Sequence, residues 1–260
     1  MATFAELRDR LSPDVHKRGK QFERVCKWLL ETDPRYANRL SKVWLWDDWP
    51  GRWGPDCGID LVAEDRDGKT WAVQAKCYDA DHSVTKADVD SFLSESVHKL
   101  IDHRLLIATT NGVGKNARRV IRQQNEVIPV SQLLLADLEA APVVWPTSPD
   151  RLTGGKARKP FTPRPHQRTA INQVVKNLDR RGQMIMACGT GKTLAALWIS
   201  ERLEAKRTLV LVPSLTLLSQ TVSEWLANAK EPFAYLPVCS DETVSRGNDA
   251  AGMFTSDLEY

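Results

Sequence analysis

The chain has 260 residues, of which 42% are hydrophobic and 27% are charged. This composition is typical of a globular protein, and the length allows one large domain or two ordinary ones. No apolar run is long enough to span a membrane, and the first residues, MATFAELRDRL, lack the basic-then-apolar order of a signal peptide. We therefore expect no membrane partner.

The formal net charge is only +3, so total charge does not by itself indicate a nucleic-acid partner. The five cysteines are scattered and include no CxxC pair. This favours reduced thiols in a cytoplasmic protein over a disulfide framework or a zinc site. The cysteines are Cys26, Cys57, Cys77, Cys188 and Cys239.

Helical and strand patterns alternate in the first part of the chain, which predicts an α/β fold. The predicted helices cover about residues 13–30, 85–99, 115–124 and 131–139. The predicted strands cover about residues 42–46, 58–64, 70–77, 104–110 and 127–130.

A basic segment rich in Pro and Gly follows, and we predict a linker at 143–160 between domains at 1–142 and 161–260. From Arg151 to Arg168 the sequence holds six basic residues and no acidic one. After the linker the alternation resumes, with helices predicted at 166–179, 191–204 and 215–228 and strands at 183–187 and 207–213.

Polar residues interrupt the two apolar runs of CGIDLVAEDRDGKTWAVQAKCY (57–78). Strand alternation puts Gln74 and Lys76 on one face, and a hairpin about DRDG (65–68) brings Asp60 opposite Val73 to Ala75. An acid, an amide and an ammonium group then converge.

Phosphodiester hydrolysis uses such a set. Asp60 and the Gln74 side-chain oxygen would hold Mg²⁺, and Lys76 would orient the attacking water or offset developing charge. The alternative is a structural hairpin on which all three side chains are simply solvated.

The segments GIDLVA and VQAKCY resemble the PD-(D/E)xK nuclease core in its Mrr-like form, in which Gln replaces the middle acid. The "PD" half stands upstream of its usual position, as Pro55-Asp56. The resemblance covers about residues 13–140 and implies a restriction-endonuclease-like mixed sheet flanked by helices. GKQFERVCKWLL resembles the first helix of that family, whose Glu can join the metal site, here Glu23. A structural i,i+4 pair of Glu23 with Lys27 is an equal alternative.

Three other features have structural interpretations. The tryptophans of VWLWDDWPGRW (43–53) are expected to pack rather than stack on bases, and His82 is expected to be an exposed loop residue. GVGK (112–115) lacks the Ser or Thr of a phosphate loop and predicts a turn and a helix start.

The segment MACGTGKT (186–193) follows an apolar run and opens a predicted helix, which is the context of a phosphate-binding loop. Backbone N–H groups around Gly189, Thr190 and Gly191 would wrap the phosphates of ATP. Lys192 would reach the β- and γ-phosphates, and Thr193 would ligate Mg²⁺.

Met186 stands where the strict motif has its first Gly, as in the helicase variant of the loop, which this one resembles. RPHQRTAI (164–171) resembles the adenine-recognition element of superfamily 2 helicases, with Gln167 reading the base and Arg164 nearby. TLVLVPSLTLLSQTVSEW (208–225) resembles motif Ia of the same proteins. Together they imply the start of a RecA-like parallel α/β helicase lobe.

A Walker B acid pair at the end of an apolar strand is not evident, since the only candidate, Asp241-Glu242, does not follow such a strand. We expect the chain to be the N-terminal piece of a longer protein. The order of nuclease, basic linker and motor resembles the single-chain type ISP restriction–modification enzymes. That resemblance implies double-stranded DNA and further domains of the same polypeptide as partners, with S-adenosylmethionine used only in the C-terminal part.

The sequence thus predicts an ATP-dependent restriction endonuclease fragment, with metal-dependent DNA hydrolysis by the N-terminal domain and ATP binding by the second. The alternative is a nuclease-fold module that binds DNA without cutting and tethers a repair or remodelling helicase. Gln74 keeps this alternative open, because an amide binds Mg²⁺ more weakly than a carboxylate.

Overall fold

A computed structural model describes residues 2–54, 58–124, 127–179, 181–236 and 238. The chain divides into two compact units, and the boundary falls between Ala157 and Arg158. Among the described residues, no helix combines the length and the apolar character that crossing a bilayer requires.

The first unit contains six α-helices, one short 3-10 helix (Trp46–Asp48) and nine strands in its described part. The helices are α1 (Phe4–Arg8), α2 (Val15–Thr32), α3 (Pro34–Ala37), α4 (Lys86–Glu95), α5 (Lys115–Gln123) and α6 (Leu135–Glu139). The strands are β1 (Leu40–Leu45), β2 (Leu61–Asp65), β3 (Thr70–Lys76), β4 (Ser83–Val84), β5 (His103–Ala108), β6 (Gly112–Val113), β7 (Val130–Leu133), β8 (Val143–Val144) and β9 (Lys156–Ala157).

The main sheet has the strand order β1-β2-β3-β5-β7. β1, β2 and β3 are joined antiparallel, whereas β3 pairs parallel with β5 and β5 pairs parallel with β7. This is the mixed sheet that the sequence predicts. The strand predicted near 127–130 lies at Val130–Leu133, where it pairs with β5, and the helix that follows is correspondingly shorter.

Helix α2 shows how the sequence sets an element that covers the sheet. The Asp14 carboxylate caps its first turn by accepting from the Lys17 backbone N–H at 2.8 Å. Helix α2 ends at Thr32, and Pro34 is the first residue of α3. Its buried residues recur every three or four positions and pack on one face of the sheet: Phe22, Val25, Cys26, Leu29 and Leu30.

The opposite face of the sheet is covered by α4 and α5. Val62, Ala72 and Leu106 of the sheet pack there against Phe92 and Ala117. The helix start predicted for GVGK is confirmed, because Gly114 precedes the first residue of α5, but the predicted turn is wrong, because Gly112 and Val113 form β6 beside β4.

Residues 143–157, which the sequence analysis assigns to the linker, are folded onto the first unit. β8 and β9 pair antiparallel. Val143 and Trp145 are buried in the core that contains α2, and the Trp145 backbone N–H donates to the Ala2 carbonyl at 3.2 Å. The burial of these apolar side chains explains why this segment does not behave as a free linker.

The second unit contains the helices α7 (Pro165–Asn177), α8 (Lys192–Arg202) and α9 (Leu215–Asn228). The strands predicted at 183–187 and 207–213 do not form in the described part of this unit. A strand exists only when a neighbour completes its hydrogen-bond ladder, and these segments are unpaired, with Ile185, Leu209 and Leu211 more than 80% exposed.

Candidate active site

The β2–β3 hairpin brings the predicted metal ligands together. Its turn is set by Gly68, whose φ is +80°, and by the Asp65 carboxylate, which accepts from the backbone N–H groups of Asp67 and Lys69 at 3.0 and 2.9 Å. Leu61 pairs with Val73, and the Asp60 backbone N–H donates to the Val73 carbonyl at 2.9 Å. Asp60 therefore lies opposite Val73 to Ala75, as the sequence predicts.

The Asp60 carboxylate is partly buried at the start of β2. Its Oδ2 accepts from the Ala75 backbone N–H at 2.7 Å. Burial raises the pKa of Asp60 to about 6; the Ala75 hydrogen bond opposes this shift, the Glu23 charge adds to it, and the Lys76 and Lys20 charges oppose it. The protein therefore holds a carboxylate where its charged form lacks full solvation.

Gln74 on β3 is buried, with 1% of its surface exposed. Its Nε2 donates to the Gly58 carbonyl at 3.1 Å, while its Oε1 has no hydrogen-bond partner among the described residues. Gly58 has a φ of +71°, and a Cβ there would approach Ser91 Oγ to 2.7 Å, so this position requires glycine. The alternative of a fully solvated hairpin face is wrong for Gln74.

These two oxygens fit a hard divalent cation. Mg²⁺ binds oxygen ligands, commonly with one or two from the protein, and the structure offers a carboxylate and an unpaired amide oxygen on adjacent strands. In the described part of the chain, no group of three or more His, Cys, Asp or Glu side chains is arranged to hold a metal. The candidate site has one Asp and one Gln, so only one of its two proposed ligands is of these four residue types.

Lys76 ends β3 opposite Ala108 of β5 and is partly buried. Its positive charge lowers the pKa of Asp60, which shows that it is within electrostatic range of that carboxylate. Asp60, Gln74 and Lys76 thus belong to the same end of β2 and β3.

Glu23 on α2 also acts on Asp60, whose pKa its charge raises. Its carboxylate pairs with Lys20 Nζ at 2.9 Å and is only 12% exposed. The predicted alternative of a pair with Lys27 is wrong, because Lys27 pairs with Glu31 at 2.8 Å. A role for Glu23 at a metal stays a prediction.

A polar cluster beside Lys76 was not anticipated from the sequence. The Tyr78 hydroxyl donates to Asp88 Oδ1 at 2.7 Å, and the Tyr78 ring lies 4.1 Å from that of His82. Burial, and then the Asp88 hydrogen bond, raise the pKa of Tyr78. Asp88 also accepts from the Thr85 backbone N–H at 2.7 Å. The signal was TKADVD, in which Asp88 stands at the third helical position.

The tryptophan-rich segment packs, as expected. Trp46 and Trp49 are buried with their ring centroids 5.6 Å apart, and Trp53 stacks on His98 at 3.9 Å. His82 is exposed, as expected, although it contacts Tyr78. Pro55, Asp56, Cys57, Asp241 and Glu242 lie outside the described residues.

In the second unit, the phosphate-loop sequence forms a tight turn before α8. Gly189 and Gly191 have φ of +73° and +79°, a conformation that L side chains rarely adopt. Lys192 Nζ donates to the Met186 and Ala187 carbonyls at 3.2 and 3.0 Å. Thr193 lies in the first turn of α8, and its carbonyl accepts from Trp225 Nε1 at 2.9 Å.

Gln167 on α7 holds this loop from one side. Its Nε2 donates to the Thr190 carbonyl at 2.9 Å, and its Oε1 accepts from the Arg164 backbone N–H at 2.8 Å. A Cβ at Gly191 would approach Gln167 Nε2 to 2.5 Å, so the close contact requires glycine. The predicted residues of the nucleotide site are therefore neighbours in the structure.

Two family models match the chain in succession. Residues 31–151 match the model described as "Restriction endonuclease", and residues 160–252 match "Type III restriction enzyme, res subunit". No curated protein sequence matches the chain.

Among solved structures, the chain is similar to the ATP-dependent Type ISP restriction-modification enzyme LlaBIII bound to DNA. The identity is 29% and the TM-score 0.74, over 88% of this chain. The match spans only 15% of that protein's length.

Two further matches have 19% identity. MspJI restriction endonuclease in complex with a 27-mer oligonucleotide is matched over 46% of this chain and 26% of its own, with a TM-score of 0.33. The DNA modification-dependent restriction endonuclease AspBHI is matched over 52% of this chain and 32% of its own, with a TM-score of 0.29. From the two family models and the LlaBIII match, the chain is a restriction-endonuclease domain followed by a helicase-like domain of the type III res-subunit kind.

Proposed function

We propose that the first domain hydrolyses DNA phosphodiester bonds in a metal-dependent reaction and that the second belongs to an ATP-driven translocase on the same polypeptide. One observation carries the nuclease assignment: the buried, unpartnered Oε1 of Gln74 lies on the strand next to the Asp60 carboxylate. An unpaired buried acceptor and a buried carboxylate are each unfavourable alone. Together they are ligands for a divalent cation.

Asp60 and Gln74 would hold Mg²⁺, which when bound polarises a phosphoryl oxygen and lowers the pKa of a coordinated water. The Ala75 backbone N–H fixes the Asp60 carboxylate, and the Gly58 carbonyl fixes the Gln74 amide so that Oε1 stays oriented as an acceptor. Lys76 supplies a cation that orients the attacking water or offsets charge developing on the phosphate. Glu23 is a further candidate ligand.

ATP would bind at the loop before α8. Backbone N–H groups from Gly189 to Gly191 and the Lys192 ammonium receive the phosphates, and the Thr193 hydroxyl is the Mg²⁺ ligand. Gln167 would read the adenine edge, with Arg164 nearby. To do so, the Gln167 amide must break its hydrogen bond to the Thr190 carbonyl and form one to the base. Base binding and loop conformation are therefore linked through this side chain.

The test is nicking of supercoiled plasmid by the 260-residue chain with Mg²⁺, with Mn²⁺ and with EDTA. We expect metal-dependent nicking with little sequence preference, and its loss in Asp60→Asn. Asp67→Asn is the matched control, because Asp67 is an exposed aspartate in the turn of the same hairpin. Metal-independent nicking, or equal rates for the two variants, would refute the assignment. DNA binding without cleavage under any metal would favour a non-cleaving module.

A further inference from the structure

Helix α5 carries a stripe of four basic residues on its exposed face: Lys115, Arg118, Arg119 and Arg122, named here the α5 stripe. Their spacing of three or four positions places them on one side of the helix. Ala117 and Ile121 on the other side are buried against the sheet. The packing of α5 thus fixes which way the stripe points.

Three residues of the stripe, Lys115, Arg118 and Arg119, are not neutralised by acids among the described residues. The sequence contains no Asp or Glu between Asp102 and Glu126, and no carboxylate of the described residues pairs with Lys115, Arg118 or Arg119. Like charges four positions apart on a helix repel each other and destabilise it. The stripe therefore works against helix stability, which a role in binding an anionic partner explains.

The stripe lines a depression of about 510 Å³ together with Gln123. None of the exposed residues of α5 has an aromatic or aliphatic side chain, whereas the buried centre of a protein interface is usually apolar and rich in aromatic residues. Arginine guanidinium groups instead match phosphate oxygens, which they can contact in pairs. The chemistry of this surface fits a phosphodiester backbone.

The fold connects the stripe to the candidate nuclease site. Lys76 pairs with Ala108 at the end of β5, and Lys115 follows seven residues later. Between them, β6 pairs with β4, and the Gly114 backbone N–H donates to the Val84 carbonyl at 2.9 Å. α5 therefore begins near the edge of the sheet that carries Lys76.

We propose that the α5 stripe contacts the phosphate backbone of the double-stranded DNA that is cleaved at Asp60, and so positions the duplex without reading its sequence. This inference rests on the proposed nuclease function, because it takes its ligand from that reaction. The contacts are electrostatic and equivalent for all sequences.

The test measures binding of a fluorescent duplex of about two helical turns to the 260-residue chain, by anisotropy, in a KCl series without divalent cations. Arg118→Gln/Arg119→Gln removes two charges while keeping good helix formers. Lys42→Gln/Arg66→Gln removes the same charge from exposed positions on β1 and in the β2–β3 turn. Arg118→Lys/Arg119→Lys keeps the charge, and circular dichroism checks the folding of each variant.

We expect the Gln variant of the stripe to bind about tenfold or more weakly at roughly 0.1 M salt, with a salt slope smaller by about 1.8, that is about 0.9 for each lost phosphate contact. The control should stay within about twofold of the parent, and the Lys variant should keep the parent slope. Equal affinity and slope in the stripe variant and the control would overturn the proposal, while metal-dependent nicking would leave the nuclease function standing. A parent chain that neither binds the duplex nor nicks plasmid would overturn both.

Discussion

The two candidate sites differ in how much of the fold they require. In the first unit, Gln74 and Lys76 lie on β3, which is hydrogen-bonded to β2 on one side and to β5 on the other. In the second unit, the phosphate loop takes its shape from Gly189, Gly191 and the start of α8 and is held by Gln167 of α7, while the predicted strands at 183–187 and 207–213 are unpaired. Paired strands of a sheet support the nuclease site, whereas helices and loop backbone support the nucleotide loop among the described residues.

This difference teaches that loop geometry alone is weak evidence for a working ATPase. The loop keeps its turn through two glycines and the hydrogen bond from Gln167, but positioning water for hydrolysis needs acids on a paired strand. Asp60, in contrast, acquires its neighbours only when the hairpin has formed.

Replacing Lys76 should have the largest effect, because it removes the cation that we propose to act on the attacking water or the phosphate. We expect Lys76→Ala to slow plasmid nicking by about 10²–10⁴-fold, measured from the initial rate of open-circle formation. ATP-analogue binding to the second unit should not change. Lys42→Ala, on the exposed side of β1, is the control, and a Lys76 variant as active as that control would remove Lys76 from the mechanism.

Lys192→Ala tests whether the local loop binds nucleotide by itself. A charge-assisted hydrogen bond contributes about 1.5–3 kcal/mol, so we expect roughly 10- to 100-fold weaker binding of a fluorescent ATP analogue. Lys206→Ala, an exposed lysine of the same unit, should bind like the parent. Unchanged binding in Lys192→Ala would show that the turn does not hold phosphates.

A matched pair of leucines tests the contrast in packing. Leu105 of β5 is fully buried, whereas Leu209 is 84% exposed. Leu105→Ala should lower the free energy of unfolding by about 2–5 kcal/mol, and Leu209→Ala should change it by less than about 0.5 kcal/mol. Urea denaturation followed by tryptophan fluorescence measures both. A large effect at Leu209 would mean that its segment is packed in solution.

Asp60→Asn should stabilise the metal-free protein while abolishing nicking. Burial raises the folded-state pKa of Asp60 from 3.8 to about 6, so between these values the folded state binds more protons than the unfolded state. Parent stability relative to the variant therefore falls as the pH rises from about 4 to 6, and the penalty is complete above that range. At about 1.4 kcal/mol for each pKa unit, we expect Asp60→Asn to gain about 3 kcal/mol at neutral pH.

The measurement is the difference in urea midpoint between parent and Asp60→Asn, at pH 4.5 and at pH 7.5 with EDTA. Asp67→Asn, on an exposed position of the same hairpin, is the control for the loss of one carboxylate. A gap of the same size at both pH values would mean that the Asp60 carboxylate is adequately solvated.

Much of the first unit follows from the sequence, because its signals are local and agree with one another. The DRDG turn and the alternation of TWAVQAKCY fix the register that places Asp60 beside Ala75. The burial of Gln74 was not predictable, since it depends on Gly58 and on α4, whose Ser91 packs against that glycine. The Tyr78–Asp88 hydrogen bond was unpredictable for the same reason, because it joins the segment after β3 to a helix that comes later in the sequence.

In the second unit, the helices were predictable and the strands were not realised. The apolar runs around Ile185 and Leu209 have strand-like composition, but composition cannot supply the neighbouring strand that each requires. The hydrogen bond from Gln167 to the Thr190 carbonyl was also not predictable from the sequence. Its motif indicates adenine recognition and gives no sign of a hydrogen bond to the loop backbone.

The most direct test of the central claim is calorimetric titration of Mn²⁺ into the nucleotide-free chain, because it reports on Asp60 and Gln74 without requiring cleavage. We predict one site in the parent, tighter binding in Gln74→Glu, where a carboxylate replaces the amide, and no binding in Asp60→Asn. Mn²⁺ binding by Asp60→Asn with the affinity of the parent would contradict the assignment of the metal site.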